Sequence, residues 1–255
     1  MKLAVRESGD PKGLPVVLLH AFPLSGAMWE PQKDALKSFR VLAVDLRGFG
    51  GTPLAAPWFV EHAVDDVFET MSSLAVEKAV LAGSSMGGYA ALRAVEKYPS
   101  RVKALVLCDT RAEADANENK IKRAAAVDFV RAHGVAAFAR PFLNDALAPK
   151  TLSEKPKVVE FLRGLAEGAS PESVMAALAA LAARADMTAA LPKIAAPTCV
   201  VVGSQDKITP LALSESMRSR IPGAELHVVP DAGHFPNVEN PAAFNERLAA
   251  FLRRL

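Results

Sequence analysis

Ser85 sits at the centre of Gly83-Ser84-Ser85-Met86-Gly87-Gly88, after the apolar run 78–82 and before a helix-like stretch over 89–97. A serine flanked by glycines where a strand turns into a helix has the layout of a nucleophile elbow. The glycines leave room for a strained backbone and hold the hydroxyl out at the sheet edge. Ser84 competes by position but lacks the symmetric glycines and is read as structural.

A serine hydroxyl is a poor nucleophile at neutral pH and needs a base, a group that orients the base, and donors for the oxyanion. Downstream, 197–203 reads as a buried strand whose loop carries Asp206, and 225–230 as another whose loop, Asp231-Ala232-Gly233-His234-Phe235, carries His234. The chain order is therefore Ser85, Asp206, His234. Asp109 also ends a strand-like run at the same edge and is the second candidate acid, with Asp206 favoured. The oxyanion donors are expected to be the backbone N–H groups of Phe22, after strand 15–19, and of Met86 at the start of the elbow helix. A helix N-terminus favours negative charge there.

These residues need a scaffold that brings distant loops to one edge. Strands are predicted at 16–19, 40–44, 78–82, 102–107, 198–202 and 225–229, and helices at 60–73, 89–97, 210–220 and 241–253. Near-continuous Val, Leu and Ile runs alternating with helices describe a mostly parallel sheet covered on both faces. The rhythm breaks over 111–194, which is rich in Ala, Leu, Arg and Glu, has no convincing strand, and is punctuated by Gly134, Pro141, Pro149, Pro156 and Pro171. Several helices inserted between neighbouring strands are expected there, lying over the site.

The chain resembles the α/β-hydrolase fold family, in its group of small bacterial esterases, enol-lactonases and cofactor-free haloperoxidases. His20-Ala21-Phe22-Pro23, Asp45-Leu46-Arg47-Gly48-Phe49-Gly50, the elbow, the segment 203–206 and Gly233-His234 carry the resemblance. It implies an α/β core of 1–110 and 195–255, with a helical cap of 111–194 after the family's sixth strand. It also implies catalysis by Ser85, Asp206 and His234 on an ester or lactone of a small, fairly apolar acid. An enol-lactonase, an acyl-homoserine lactonase, a perhydrolase or a carbon–carbon bond hydrolase would share that machinery. A haloalkane dehalogenase would need an aspartate in place of Ser85. A non-catalytic binding protein on the same scaffold is the alternative from another class.

Two departures stand out. Relatives usually carry His-Gly where this chain has His20-Ala21, so a left-handed loop residue there would be strained. Relatives also have two antiparallel strands at the start, whereas Gly9-Asp10-Pro11 interrupts this chain after 3–7. One antiparallel strand and seven strands in all are expected.

Composition narrows the classes further. Thirty basic residues against 28 acidic ones, with no dense basic run, give no nucleic-acid signature. Cys108 and Cys199 lie in apolar segments and imply no disulfide framework. No apolar stretch is long enough to span a bilayer, so a soluble, cytoplasmic protein is expected, as a small-molecule enzyme and possible homo-oligomer. No metal or organic cofactor is called for, since clustered Cys/His, H-E-x-x-H and G-x-G-x-x-G are absent. Phe22, Trp29 and Met86 are candidates to line the acyl pocket, Phe22 foremost and Trp29 equally open to the core. Phe129, Phe138, Phe142 and Leu143 are candidates for the pocket and equally for the core of the cap. Arg111 is the candidate for a substrate carboxylate. His20 is expected to fix the oxyanion loop by hydrogen bonds, and Asp45 and Arg47 to stabilise a turn.

Overall fold

The computed structural model describes all 255 residues. A seven-stranded sheet carries the molecule: β1 (Ala4–Gly9), β2 (Pro15–Leu19), β3 (Arg40–Asp45), β4 (Ala79–Ser84), β5 (Val102–Cys108), β6 (Thr198–Gly203) and β7 (Glu225–Val229). Its spatial order is β1-β3-β2-β4-β5-β6-β7, and β1 alone runs antiparallel, against β3. The interrupted amino terminus thus yields one antiparallel strand, as its sequence implies. Every residue of β4 and β6 is buried, which fits central strands without polar alternation.

Helices α1 (Val60–Ser73), α2 (Met86–Lys97), α7 (Leu211–Arg220), α8 (Pro236–Glu239) and α9 (Pro241–Leu252) join the strands. In α1 the buried residues Val60, Ala63, Val64, Val67, Phe68 and Met71 recur at helical spacing and form one apolar face. Two hydrophobic clusters lie on opposite faces of the sheet: Val17, Leu19 and Leu81 belong to one, Val16, Leu18, Val80 and Ala82 to the other. Alternate residues of one strand point to opposite faces, so each strand feeds both clusters.

Between β5 and β6 lie α3 (Asn117–Ala146), α4 (Pro149–Glu154), α5 (Pro156–Glu167) and α6 (Pro171–Ala183). Proline opens α4, α5 and α6 at the first turn, where its missing N–H costs nothing. Ser170 also caps α6, its hydroxyl accepting from the Ser173 N–H at 3.1 Å. Helix α3 is two helices joined at Gly134, whose φ of 80° is open to glycine at little cost. The sequence signal of a break there becomes a bend rather than a loop. The other boundary shift that matters is at the elbow: β4 runs on to Ser84 and α2 begins at Met86, so only Ser85 separates strand from helix.

Candidate active site

The elbow is built by close backbone approach. A Cβ on Gly83 would run into the Gly87 carbonyl oxygen, and one on Gly87 into the Leu19 carbonyl oxygen. Only glycine lets β4, α2 and β2 meet this tightly. Ser85 itself has φ 50° and ψ −110°, a conformation that costs on the order of 1–3 kcal/mol in a non-glycine residue. The surrounding bonds hold it there. Its N–H donates to the Cys108 carbonyl at 2.9 Å, and its carbonyl accepts from the Thr110 hydroxyl at 2.9 Å and from the Gly88 N–H at 2.9 Å.

His234 and Asp206 meet at the same edge. Nδ1–H of His234 donates to Asp206 Oδ2 at 2.9 Å, and both side chains are buried. That bond leaves Nε2 as the lone-pair nitrogen. Asp206 is held further by the Thr209 hydroxyl on Oδ2 at 2.5 Å, and by the N–H groups of Ile208 at 2.8 Å and Thr209 at 3.0 Å on Oδ1. Burial alone would push this carboxyl up, but the His234 charge and hydrogen bond together with the Thr209 bonds outweigh it. Asp206 is held well below the usual carboxylate range. The His234 N–H donates to Ala146 at the end of α3 at 2.7 Å, tying the histidine loop to the inserted helices. No hydrogen bond joins Ser85 Oγ to His234 in this conformation, and such bonds often tighten only on substrate.

The second candidate acid has a different environment. Asp109 is fully buried at φ 45° and accepts the Gly203 N–H at 2.8 Å on Oδ1, while Oδ2 has no partner. Burial, then the charge of Asp206, pushes its carboxyl well above the ordinary range. Two carboxyls a few ångströms apart cannot both carry charge in so dry a place. The histidine is paired with Asp206, and Asp109 stays neutral beside it.

The oxyanion loop follows β2. Ala21 is not among the left-handed residues, so the alanine carries no strain of that kind. Its N–H donates to Met28 Sδ at 3.2 Å. His20 donates from Nδ1 to the Ala21 carbonyl at 2.9 Å and accepts the Leu46 N–H on Nε2 at 3.0 Å. Burial pushes its imidazole down to about 4, so it braces the loop as a neutral ring. The N–H groups of Phe22 and Met86 have no acceptor within the chain. Asp45 accepts the N–H groups of Gly26 at 2.7 Å and Gly51 at 2.9 Å, and Arg47 pairs with Asp66 at 2.9 Å. Both stabilise turns.

Phe22 packs against Phe138 and Phe142 of α3, with ring centroids 6.0 and 6.1 Å away. Phe138 and Phe142, stacked at 5.9 Å, line a cleft of about 770 Å³ together with Phe129, Arg111, Lys207 and Ile208. Trp29 does not reach it. Its ring is buried in the core against Phe244 at 6.2 Å, a consequence of the short 3-10 helix Gly26–Gln32 turning it away from the oxyanion loop. Leu143 is likewise core.

A profile described as the alpha/beta hydrolase fold matches residues 15–241. This chain belongs to the α/β-hydrolase family. The hydrolase is 28% identical over 262 residues to 3-oxoadipate enol-lactonase 1 of Acinetobacter baylyi, covering 99% of this chain and 94% of that one. Among solved structures it is similar to a thermophilic esterase from Thermogutta terrifontis, solved with malate bound, at 38% identity and TM-score 0.95 over 99% of this chain and 93% of that one. It is also similar to the enol-lactonase from Burkholderia xenovorans LB400, at 28% identity and TM-score 0.92 over 98% and 96% of the two chains.

Several residues around the site of this hydrolase carry no obvious motif. Glu239, fully buried, accepts the Gly233 N–H at 2.9 Å and the Phe235 N–H at 3.1 Å on one oxygen. Its other oxygen accepts the Ala148 N–H at 2.8 Å and the Thr151 hydroxyl at 2.7 Å. It clamps the histidine loop to the turn between α3 and α4, yet in sequence it reads as a solvated acid on a short helix. Thr209 had a faint signal, since Asp-x-x-Thr is a common local hydrogen-bonding pattern. Asp109, Asp206 and His234 converge as metal-ligand types. Their facing atoms Nδ1 and Oδ2 are, however, already bonded to each other. No helix is long and apolar enough to cross a membrane.

Proposed function

We propose that this α/β-hydrolase is a serine hydrolase of carboxylic esters or lactones, working through an acyl-enzyme. The observation that carries the reading is Ser85, held left-handed at the start of α2, at the same sheet edge as a His234 imidazole oriented by Asp206. In this reading Ser85 Oγ attacks the carbonyl carbon while its proton passes to His234 Nε2. Asp206 stabilises the imidazolium and holds its tautomer. The N–H groups of Phe22 and Met86, free of other acceptors, receive the oxyanion. Collapse expels the alcohol oxygen, which takes the proton from His234. Water then attacks the acyl-enzyme, giving its proton to the same histidine, and the acid leaves as Ser85 recovers its proton. The step is the same for a lactone, except that the alcohol stays attached to the acyl group. The enol-lactonases among the similar proteins favour that variant. The aromatic trio Phe22, Phe138 and Phe142 would pack the acyl segment beside the carbonyl.

The test is hydrolysis of p-nitrophenyl esters of increasing chain length, with Ser85→Ala and a phosphonate-treated sample beside the wild type. Turnover should fall by about 10⁵–10⁶ in both. A wild type that neither turns over an ester nor takes up the phosphonate would overturn the reading.

A further inference from the structure

The cleft beside the aromatic trio is strongly cationic. Arg111, Lys122, Arg123 and Lys207 line it against a single acid, Asp145. Two of these cations are rigid. Asp115, buried beneath them, is shared by three guanidinium groups: Arg123 on Oδ2, Arg184 on Oδ1 at 2.8 Å and Arg111 on Oδ1 at 3.5 Å. Even with Asp186, which also feels Arg184, the three arginines outnumber the carboxylates beside them, so the cluster keeps a net positive charge. Arg184 is committed elsewhere, to the Leu181 and Glu113 carbonyls and the face of Tyr89. Arg111 is not, and its Nε is buried without an acceptor. Lys122 and Lys207 have no acidic partner and stand exposed across the cleft from each other's elements, α3 and the loop after β6.

Residues of the cleft are neighbours, in the chain or by contact, of residues at the reacting centre. Arg111 follows Thr110, whose hydroxyl holds the Ser85 carbonyl. Lys207 and Ile208 follow Asp206 directly, and Phe138 and Phe142 contact Phe22. The cleft thus combines an aromatic wall that touches Phe22 with a cationic lining. A surplus of positive charge along one cleft attracts anions to it.

We propose that the substrate carries a carboxylate, seated in this cleft on Arg111, Arg123, Lys122 and Lys207, with its ester or lactone carbonyl at Ser85. This rests on the serine-hydrolase reading above. The arginines, pre-ordered by Asp115, supply directional charge-assisted bonds, and the lysines supply a diffuse field. Such a substrate is a half-ester of a dicarboxylic acid or a carboxylated lactone, with a short apolar segment between its two ends.

The experiment compares kcat/KM for mono-p-nitrophenyl esters of four- to six-carbon dicarboxylic acids with the same compounds capped as methyl esters at the distal acid. The free carboxylate should be preferred by about tenfold or more at low salt, and the preference should shrink as salt rises. In Arg111→Gln and in the Lys122→Ala/Lys207→Ala pair the acid-to-neutral ratio should drop about tenfold. Loss of fold alone would lower both substrates together and leave the ratio intact. Lys193→Ala, in a separate cleft at the opposite end of the sheet, should leave the ratio as in wild type. Turnover of capped and free esters at equal rates, or a ratio indifferent to these substitutions, overturns the carboxylate site while leaving the serine mechanism standing. Absence of turnover and of phosphonate labelling in wild type overturns both.

Discussion

The carboxyl edge of the sheet and the cleft under the inserted helices are adjacent, and they treat polar groups in opposite ways. At the edge three buried polar side chains are held by backbone: Asp206 takes two N–H groups besides its hydroxyl and imidazole, Glu239 takes three N–H groups, and His20 uses both ring nitrogens, while Asp109 Oδ2 is left bare. In the cleft four cations face one acid, and the arginine cluster is deliberately under-neutralised. Saturated groups keep one geometry, which is what proton transfer requires. Unsaturated charges keep free capacity, which is what a binding surface requires. On the function proposed above, the edge is the part that must not move and the cleft is the part that binds.

The sharpest way to break that contrast is at the two acids. Asp206→Asn should cut kcat by about 10⁴, because the histidine loses the partner that fixes its tautomer. Asp109→Asn keeps the Gly203 bond and should cost little activity, measured on the same ester. The sign of its stability effect follows from the raised carboxyl. Folded Asp109 stays protonated while the unfolded chain ionises near 3.8, so wild type loses stability as pH rises above that value. Asp109→Asn should therefore gain midpoint denaturant concentration at pH 7 relative to pH 4. Equal losses of activity in the two variants would erase the distinction between them.

Glu239→Ala comes next. It leaves the N–H groups of Gly233, Phe235 and Ala148 without their acceptor and should cost at least about 3 kcal/mol by denaturant melting. Because it releases the histidine loop, kcat should fall more than KM rises. A variant as stable as wild type would show that the clamp is dispensable.

The buried imidazole of His20 gives a pH signature. It titrates near 6.5 when unfolded and about 4 when folded, so the unfolded state binds the extra proton between those values. Stability is fully present above pH 6.5 and falls as pH drops through that window, by about 2–3 kcal/mol at its lower end. Denaturant midpoints at pH 7 and 4.5 should converge in His20→Gln relative to wild type. Unchanged slopes would mean the ring is not held neutral.

The smallest effect belongs to the cleft. Lys122→Ala and Lys207→Ala should each change stability by less than about 0.5 kcal/mol, since neither side chain is engaged in the fold. A larger thermal shift in either would mean the lysine is structural, and the contrast between edge and cleft would blur.

The local architecture was legible because it is written in short-range chemistry. Gly83 and Gly87 around Ser85 forecast a backbone contact that only glycine allows, and the unbroken apolar runs of β4 and β6 forecast buried parallel strands. The single antiparallel strand followed from Gly9-Asp10-Pro11, and the break in α3 from Gly134. What stayed hidden depends on contacts between residues far apart in the chain. Trp29 is open between pocket and core in the sequence, and its place in the core is decided by Phe244, brought near by α9. Glu239 carries no local signal, since Ala148 and Thr151, two of its partners, lie far away in the chain.

By itself the sequence determined the strand and helix rhythm and the tight turn at Ser85, because each depends on neighbours within a few residues. Only the tertiary structure shows that Asp206, and not Asp109, is bonded to His234. Both end a strand at the same edge, and their ionisation is set by which one meets His234 and which is left in a dry site beside another carboxylate. It alone also assembled the cationic cleft, since Arg111, the Lys122-Arg123 pair of α3 and Lys207 come from three segments whose charges add only once the chain has folded.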